Sequence, residues 1–375
     1  MPPLISIIIP ARNAEATLAV CLEELIADDR QEIEHHPCTP PHSFAKEGKG
    51  SGDSASYAEG RGNENHVSKS GESEGRFSIE VIVVDDASED GTADIAGKFP
   101  CRVITLPVHS GAAKARNAGA SQAKGEILFF TDADCVFTPG LLGLILNSIK
   151  DVNEEIVLGG TYTELSYDRR FFSDFQSLFI NYSETKHADN PDYVASHAMA
   201  MPARLFREHG GFRDNRLPIV EDVEFSHRLR RSGARLRIDP EMKVGHIFNF
   251  NLFRSLKNAF RKSRYWVVYS IGNRDLFADS GTASIELKAD VAALILSLLL
   301  LAQGGFGYLN FIAALQALNI YISRGILSSF FRAGGKLFGL GSALYYLTLY
   351  PLAVGAGAFA GVVEYLLGER RSAQG

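Results

Sequence analysis

The chain has 375 residues, enough for one large domain with an appendage or for two domains. Hydrophobic residues make up 46% and charged residues 22%, which excludes a wholly disordered or collagen-like chain. A net charge of −6 offers no global positive field, so nucleic acid is not an expected partner.

Residues 4–9 are almost continuously apolar and run into Pro10-Ala11-Arg12-Asn13. This predicts a strand closing in a loop, because a strand covered on both faces loses its alternation. A helix is predicted over 14–29, with Leu18, Cys21, Leu22 and Leu25 at helical spacing. From 31 to 76 the pattern breaks into polar residues with scattered single apolar ones. Such a tract buries too little surface to offset the entropy of ordering, so a disordered insertion is predicted. Its histidines, His35, His36, His42 and His66, lack regular spacing and read as solvated linker residues. The four cysteines, Cys21, Cys38, Cys101 and Cys135, form no C-x-x-C pair, which argues against a disulfide framework or structural zinc.

A second buried strand is predicted at 79–84, ending at Asp85-Asp86. A helix (92–98), a short strand (102–106), a helix (112–123) and a strand (127–130) follow, the last ending in Thr131-Asp132-Ala133-Asp134. Alternating strands and helices predict an α/β class with a mainly parallel sheet and helices on both faces. Open α/β sheets place ligands at the carboxyl ends of their strands, where these polar residues fall.

Residues 252–266 are the most basic in the chain. Leu252, Phe253, Leu256, Phe260 and Trp266 share one helical face, with five basic residues around them. That is the pattern of a helix on an anionic membrane surface; the alternative is an amphipathic helix packed under the preceding domain. Three apolar stretches follow, at 289–303, 306–322 and 337–367. The third exceeds the roughly 20 residues needed to cross a bilayer, whereas the first two read as short spans or a re-entrant pair. A soluble helical bundle is the alternative, but these stretches lack a charged outer face. Arg324, Arg332 and Lys336 would hold the linker before the third stretch in the cytosol. The expected organisation is therefore a catalytic domain of 1–30 and 77–250, an insertion at 31–76, an interfacial segment at 251–284 and a membrane domain of about three helices at 285–368.

Two carboxylates flanking one residue at the end of a very apolar strand, Asp132 and Asp134, suit a divalent cation such as Mg²⁺ or Mn²⁺. Asp85, Asp86, Ser88, Asp90 and Thr92 form a second polar cluster at a neighbouring strand end, equally suited to capping a turn. Glu221 and Asp222 open a predicted helix, where acids also favour the helix dipole.

Taken together, these residues resemble the family 2 glycosyltransferases of the nucleotide-sugar-binding GT-A fold. The resemblance rests on Ser6 to Asn13, Val84-Asp85-Asp86-Ala87-Ser88 through Asp90-Gly91-Thr92, Ala115-Arg116-Asn117-Ala118-Gly119, Asp132 with Asp134, and Gly210-Gly211-Phe212 followed by Glu221-Asp222. It implies a metal-dependent, inverting transfer from a nucleotide-sugar donor to a lipid-linked or glycan acceptor at the membrane. Pro10, Arg12, Asn13, Asp85, Asp86, Ser88, Gly111, Arg116, Asn117 and Asp132 would bind the donor, with Asp86 at the base. Asp134, with Asp132 and His246, would hold the cation. Asp222, beside Glu221, would be the general base. Arg12 stands where the family often has an aromatic residue, and Ala198 and Pro202 stand where it often has Asn and Arg. The implied location is a multi-pass protein of the cell membrane with a cytosolic catalytic domain. The competing readings are a nucleotidyltransferase, which leaves Glu221-Asp222 without a task, and a membrane scaffold that binds nucleotide-sugar without turnover.

Overall fold

A computed structural model describes residues 4–34, 78–213 and 219–372. Strand β1 (Leu4–Ala11) buries Ile5, Ile7, Ile8 and Ile9 completely. Ile7 and Ile9 face Leu18, Cys21, Leu22 and Leu25 of helix α1 (Leu18–Glu34). Ile8 belongs to the opposite layer, with Val84, Leu128, Phe130 and Ala115. Each such side chain contributes on the order of 1.5–3 kcal/mol by burial, and burial on both faces is the reason the strand shows no alternation. Helix α1 starts four residues later than its apolar spacing suggested and reaches Glu34. Residues 31–34, assigned above to the insertion, are thus helical; the rest of 31–76 lies outside the described residues.

Strands β2 (Ser78–Asp85), β3 (Arg102–Thr105) and β4 (Ile127–Thr131) complete a parallel group with β1, crossed by the short α2 (Thr92–Ala96) and by α3 (Ala112–Gln122). Gly119 is required where α3 meets the sheet: a Cβ there would lie 2.6 Å from Ile8 Cγ2. Beyond β4 come β5 (Cys135–Phe137), α4 (Leu141–Ser148), β6 (Ile156–Tyr162), α5 (Phe171–Thr185), β7 (Ala198–Pro202), α6 (Ala203–Glu208), α7 (Glu221–Arg231) and β8 (Arg235–His246). All join one sheet in the order β3-β2-β1-β4-β7-β6-β8-β5. The pairs β4–β7, β7–β6 and β8–β5 are antiparallel. The sheet is therefore mixed, and a mainly parallel description fits only its first half. An apolar strand such as Ala198–Pro202 carries no mark of its direction, which the preceding connection sets.

The C-terminal third is helical: α8 (Leu252–Asn273), α9 (Ile285–Gly304), α10 (Leu309–Ile322), α11 (Arg324–Leu347) and α12 (Leu349–Ser372). Among the described residues, Arg324–Leu367 is the one helical stretch long and apolar enough to cross a membrane. It is not a straight rod. Gly335 has φ 75° and Thr348 breaks the helix, so the single span read from 337–367 is the end of α11 plus most of α12. Pro351 explains the break, since proline is tolerated only in the first turn of the helix it enters. Arg324, Arg332 and Lys336 lie inside α11 rather than in a linker.

Helix α8 packs along α12. A Cβ at Gly357 would meet the Phe260 carbonyl oxygen at 2.2 Å, and one at Gly361 the Arg264 carbonyl at 2.4 Å. These glycines, four residues apart, allow the close approach of a small-x-x-x-small crossing. Ser263 Oγ donates to the Val354 carbonyl (2.9 Å), and Arg264 Nε donates to Glu364 (2.7 Å). The basic helix is thus a packed one, while Leu252, Phe253 and Phe260 stay exposed. Lys186, the residue after α5, binds Asp279 (2.7 Å) and Glu286 (2.8 Å), tying the start of α9 to the sheet domain.

Candidate active site

The carboxyl ends of β1 and β2 are stitched together. Asn13, at φ 49°, donates its backbone N–H to Ser88 Oγ (3.0 Å) and accepts from the Glu89 N–H on Oδ1 (2.9 Å). Arg12 Nη1 donates to the Asp86 carbonyl (3.2 Å), and Asp85 accepts the Ser88 N–H (3.1 Å). Pro10 pairs in register with Val84. Asp86, 3% exposed, accepts the N–H groups of Ser110 (2.7 Å) and Gly111 (2.9 Å), and contacts His109 Nδ1 (2.7 Å). Gly111, at φ 88°, is the turn residue that aims these N–H groups at the carboxylate ahead of α3. Asp85, Asp86 and Ser88 therefore shape this loop whatever else they bind.

Arg116 of α3 occupies the centre. It is 3% exposed; Nη2 donates to Asp132 (2.5 Å) and Nη1 to Glu221 (2.8 Å). One guanidinium thus joins the end of β4 to the start of α7, two segments 89 positions apart by the difference of 221 and 132. Burial alone would raise the Asp132 carboxyl, but Arg116, helped by His197, holds it below the ordinary carboxylate range. Burial and the neighbouring Asp222 raise Glu221 against the pull of Arg116. Asn117 is turned elsewhere: its amide clasps the Phe212 backbone in both directions (2.7 and 3.0 Å).

Asp134 lies across from His246, with Nε2 3.4 Å from Oδ1. Burial and the Asp132 charge push Asp134 up to about 7. Burial brings His246 down to about 3, so its imidazole is neutral, and its buried Nδ1 has no hydrogen-bond partner among the described residues. Asp134, Cys135 and His246 each bring a ligand atom within 4.8 Å of the others. Burial holds the Cys135 thiol protonated, which leaves carboxylate oxygen and neutral imidazole as the effective donors. That pair fits Mn²⁺ or a similar divalent cation, whose positive charge would offset the burial and the Asp132 charge and favour the ionised form of Asp134.

Glu221 and Asp222 begin α7 after Val220, which has φ 81°. A β-branched residue in the left-handed region costs on the order of 1–3 kcal/mol, and here that strain sits beside the acidic pair. Asp222 Oδ2 accepts the Ser196 N–H (3.0 Å). Arg116, Asp132, Glu221 and Asp222 all line one cavity of about 480 Å³, together with Ser196, His197, Lys262 and Trp266. His197 stacks on Tyr162 with ring centroids 4.0 Å apart and lies 3.5 Å from Glu184. Ser196 and His197 sit in no recognisable motif; Trp266 belongs to the apolar face of 252–266 and Lys262 to the basic residues around that face, a pattern that carries no mark of a cavity.

Residues 72–209 match the family described as Glycosyl transferase family 2. The chain is 28% identical over 200 residues to Polypeptide N-acetylgalactosaminyltransferase 3 of Drosophila melanogaster, covering 45% of this chain and 30% of that protein. It is likewise 28% identical over 176 residues to the Pre-mycofactocin glycosyltransferase of Mycobacterium tuberculosis, covering 45% and 37%. The chain thus spans about a third of the length of these curated relatives. Among solved structures, a mannosyltransferase from Pyrobaculum calidifontis in complex with GDP-Man and Mn²⁺ superposes with a TM-score of 0.51 at 17% identity, covering 98% of this chain and 88% of that one. These matches support a glycosyltransferase enzyme: residues 72–209 are similar to the glycosyl transferase family 2 domain, and the mixed α/β sheet has the fold of the Pyrobaculum structure.

Proposed function

We propose that the protein is an inverting glycosyltransferase that moves a sugar from a nucleotide-diphosphate donor to a hydroxyl of a lipid-linked or otherwise membrane-proximal acceptor. The observation that carries this reading is the Arg116 bridge, which brings Asp132 and the Glu221-Asp222 pair to one cavity. A nucleotidyltransferase has no use for that second acidic pair.

Pro10, Arg12, Asn13, Asp85 and Ser88 form the wall against which the nucleoside lies. Asp86 Oδ2 meets both the Gly111 N–H and His109, whereas Oδ1 holds the Ser110 N–H alone, which leaves Oδ1 acceptor capacity for an N–H of the base. Gly111 and Asn117 act through the loop and helix they fix, and Arg116 with Asp132 meets the ribose or diphosphate. Asp134 and His246 would hold the divalent cation, Mn²⁺ or Mg²⁺, which when bound supplies positive charge to the departing diphosphate. Asp222, held by Ser196, takes the proton of the acceptor hydroxyl as its oxygen bonds to the anomeric carbon. The bond from that carbon to the diphosphate breaks on the opposite face, and its electron pair leaves with the nucleoside diphosphate. Glu221, paired to Arg116, keeps Asp222 in place.

Helices α9 to α12 embed in the membrane, with the catalytic domain on the cytosolic side. What supports this is their outward face: Leu299, Phe311, Leu340 and Phe359 are exposed, and Leu337 is 89% exposed. The test incubates membranes holding the full chain with a panel of radiolabelled nucleotide-sugars and follows label into the lipid fraction. One donor should transfer, and Asp222→Asn should lower the rate about 10²–10⁴-fold. Nucleotide-sugar binding without turnover of any donor would sink the reading in favour of a scaffold.

A further inference from the structure

The cavity has two chemically different ends. Its polar end is the catalytic cluster. Its other wall is built by Trp266 and Val267 of α8, Leu287 and Val291 of α9, and Val354 and Ala358 of α12. Those same helices carry the exposed apolar faces described above, so the apolar end of the cavity is continuous with the region that faces lipid in the reading above. Between the ends stands Lys262. It is on the same face of α8 as Trp266, one helical turn away, and it lines the cavity.

Lys262 differs from the other cations of the cavity. Arg116 is engaged by Asp132 and Glu221, and the second lining lysine, Lys288, donates to the Ala278 carbonyl. Lys262 makes no hydrogen bond or ion pair with a described residue. Lys262 is exposed, and the carboxylates whose charge reaches it are held by other groups, Asp222 by the Ser196 N–H (3.0 Å) and Glu184 by the Thr161 hydroxyl (2.8 Å), so its ammonium is free to meet an anion in the cavity.

We propose that the cavity takes an anionic amphiphile, a sugar-bearing single-chain lipid phosphate whose sugar offers the acceptor hydroxyl, with the phosphate on Lys262 and the chain along Trp266 between α8, α9 and α12. This names the acceptor class for the transfer proposed above and rests on that reading, but its test does not use transfer. The phosphate sets the acceptor hydroxyl at Asp222, and the chain orients the head by filling the apolar slot.

Trp266 is the only tryptophan in the chain, so its fluorescence reports on the cavity alone. The full-length protein in phosphatidylcholine nanodiscs is titrated with dibromoundecyl phosphate, with dibromoundecanol of the same chain, and with inorganic phosphate as competitor. Bromine quenches tryptophan on contact. The alkyl phosphate should quench saturably and bind at least about tenfold more tightly than the alcohol, the discrimination expected when a charged partner adds about 1.4 kcal/mol. Lys262→Gln should erase that difference, Lys262→Arg should retain it, and Ala358→Phe should reduce quenching by both amphiphiles. Equal affinity of phosphate and alcohol would overturn the proposal. So would competition by inorganic phosphate as effective as that of the alkyl phosphate, which would mean an anion site without a chain. Displacement of the quencher by UDP or GDP with Mn²⁺ would overturn it by assigning Lys262 to the donor. Because Lys262→Arg must keep what Lys262→Gln loses, a folding defect cannot mimic the expected pattern. Quenching as expected without any sugar transfer would leave this site standing while the transferase reading falls.

Discussion

Replacing Arg116 by methionine tests whether one guanidinium holds the two halves of the site together. Its side chain is 4% exposed, Glu221 is 13% and Asp132 is 30%. Removing one partner of a buried ion pair costs about 3–5 kcal/mol, because the remaining charge is left without compensation. The partial exposure of Asp132 screens its share, so the lower end, about 3 kcal/mol, is expected. At about 2–4 °C per kcal/mol for a domain of this size, the melting midpoint should fall by about 6–12 °C. The pH dependence gives the sharper check. Without Arg116, burial raises the folded-state pKa of Asp132 and raises Glu221 further, so the folded state binds more protons than the unfolded one. The stability these groups allow is present at low pH and is lost as pH rises through the raised values. The deficit of Arg116→Met relative to wild type should therefore be larger near about pH 8 than near about pH 5. Adding Asp132→Asn and Glu221→Gln should recover most of it. Thermal scans by circular dichroism at one fixed rate measure all of this, and equal melting of Arg116→Met and wild type at both pH values would refute the argument.

Asp134→Ala should abolish transfer yet melt no lower than wild type, since it relieves repulsion with Asp132; EDTA should inhibit wild type and Mn²⁺ or Mg²⁺ restore it, and full activity in chelator would remove the cation from the mechanism. Gly357→Leu forces a side chain into the Phe260 carbonyl and Ser263, so α8 and α12 should separate at a cost of about 1–3 kcal/mol; an unchanged melting midpoint would show that the helices slide freely. Replacing residues 35–76 with a short Gly/Ser loop should shift the midpoint by less than about 2 °C, because long surface insertions add little closure entropy, and a larger fall would show that the tract packs.

The sequence exposed the donor half of the fold plainly, because its signals are local. Ile5 to Ile9 and Ile127 to Phe130 are apolar runs with polar ends, and Gly119 marks a close helix–sheet contact. Strand direction beyond β4 was not legible, since an antiparallel Ala198–Pro202 and a parallel one read alike. In the site, Asp132, Asp134, Glu221 and Asp222 could be named individually, but the Arg116 bridge between them is a long-range contact no spacing encodes. Asn117 looked like a ligand group and is a backbone clasp instead. Trp266 and Lys262 fall in an amphipathic stretch whose pattern shows that something covers it, and the position of α12 shows what packs along part of it. Pro351 offered a cue to the broken C-terminal helix that hydropathy alone smoothed over.

The reversal between β4 and β7 has a consequence for how such a site can change. Thr131, the last residue of one strand, stands beside Ala198, the first residue of the other. The segment 132–134 therefore leaves the sheet where the segment 195–197 enters it, and the two meet as independent lengths of chain with opposite polarity. Ser196 reaches Asp222 and His197 stacks on Tyr162 from the second length, while Lys186 ahead of it holds Asp279 and Glu286. The junction therefore works as a splice: whatever shifts the entry to β7 is felt at once by the acid that follows β4, by the acid that opens α7 and by the helices beyond the sheet.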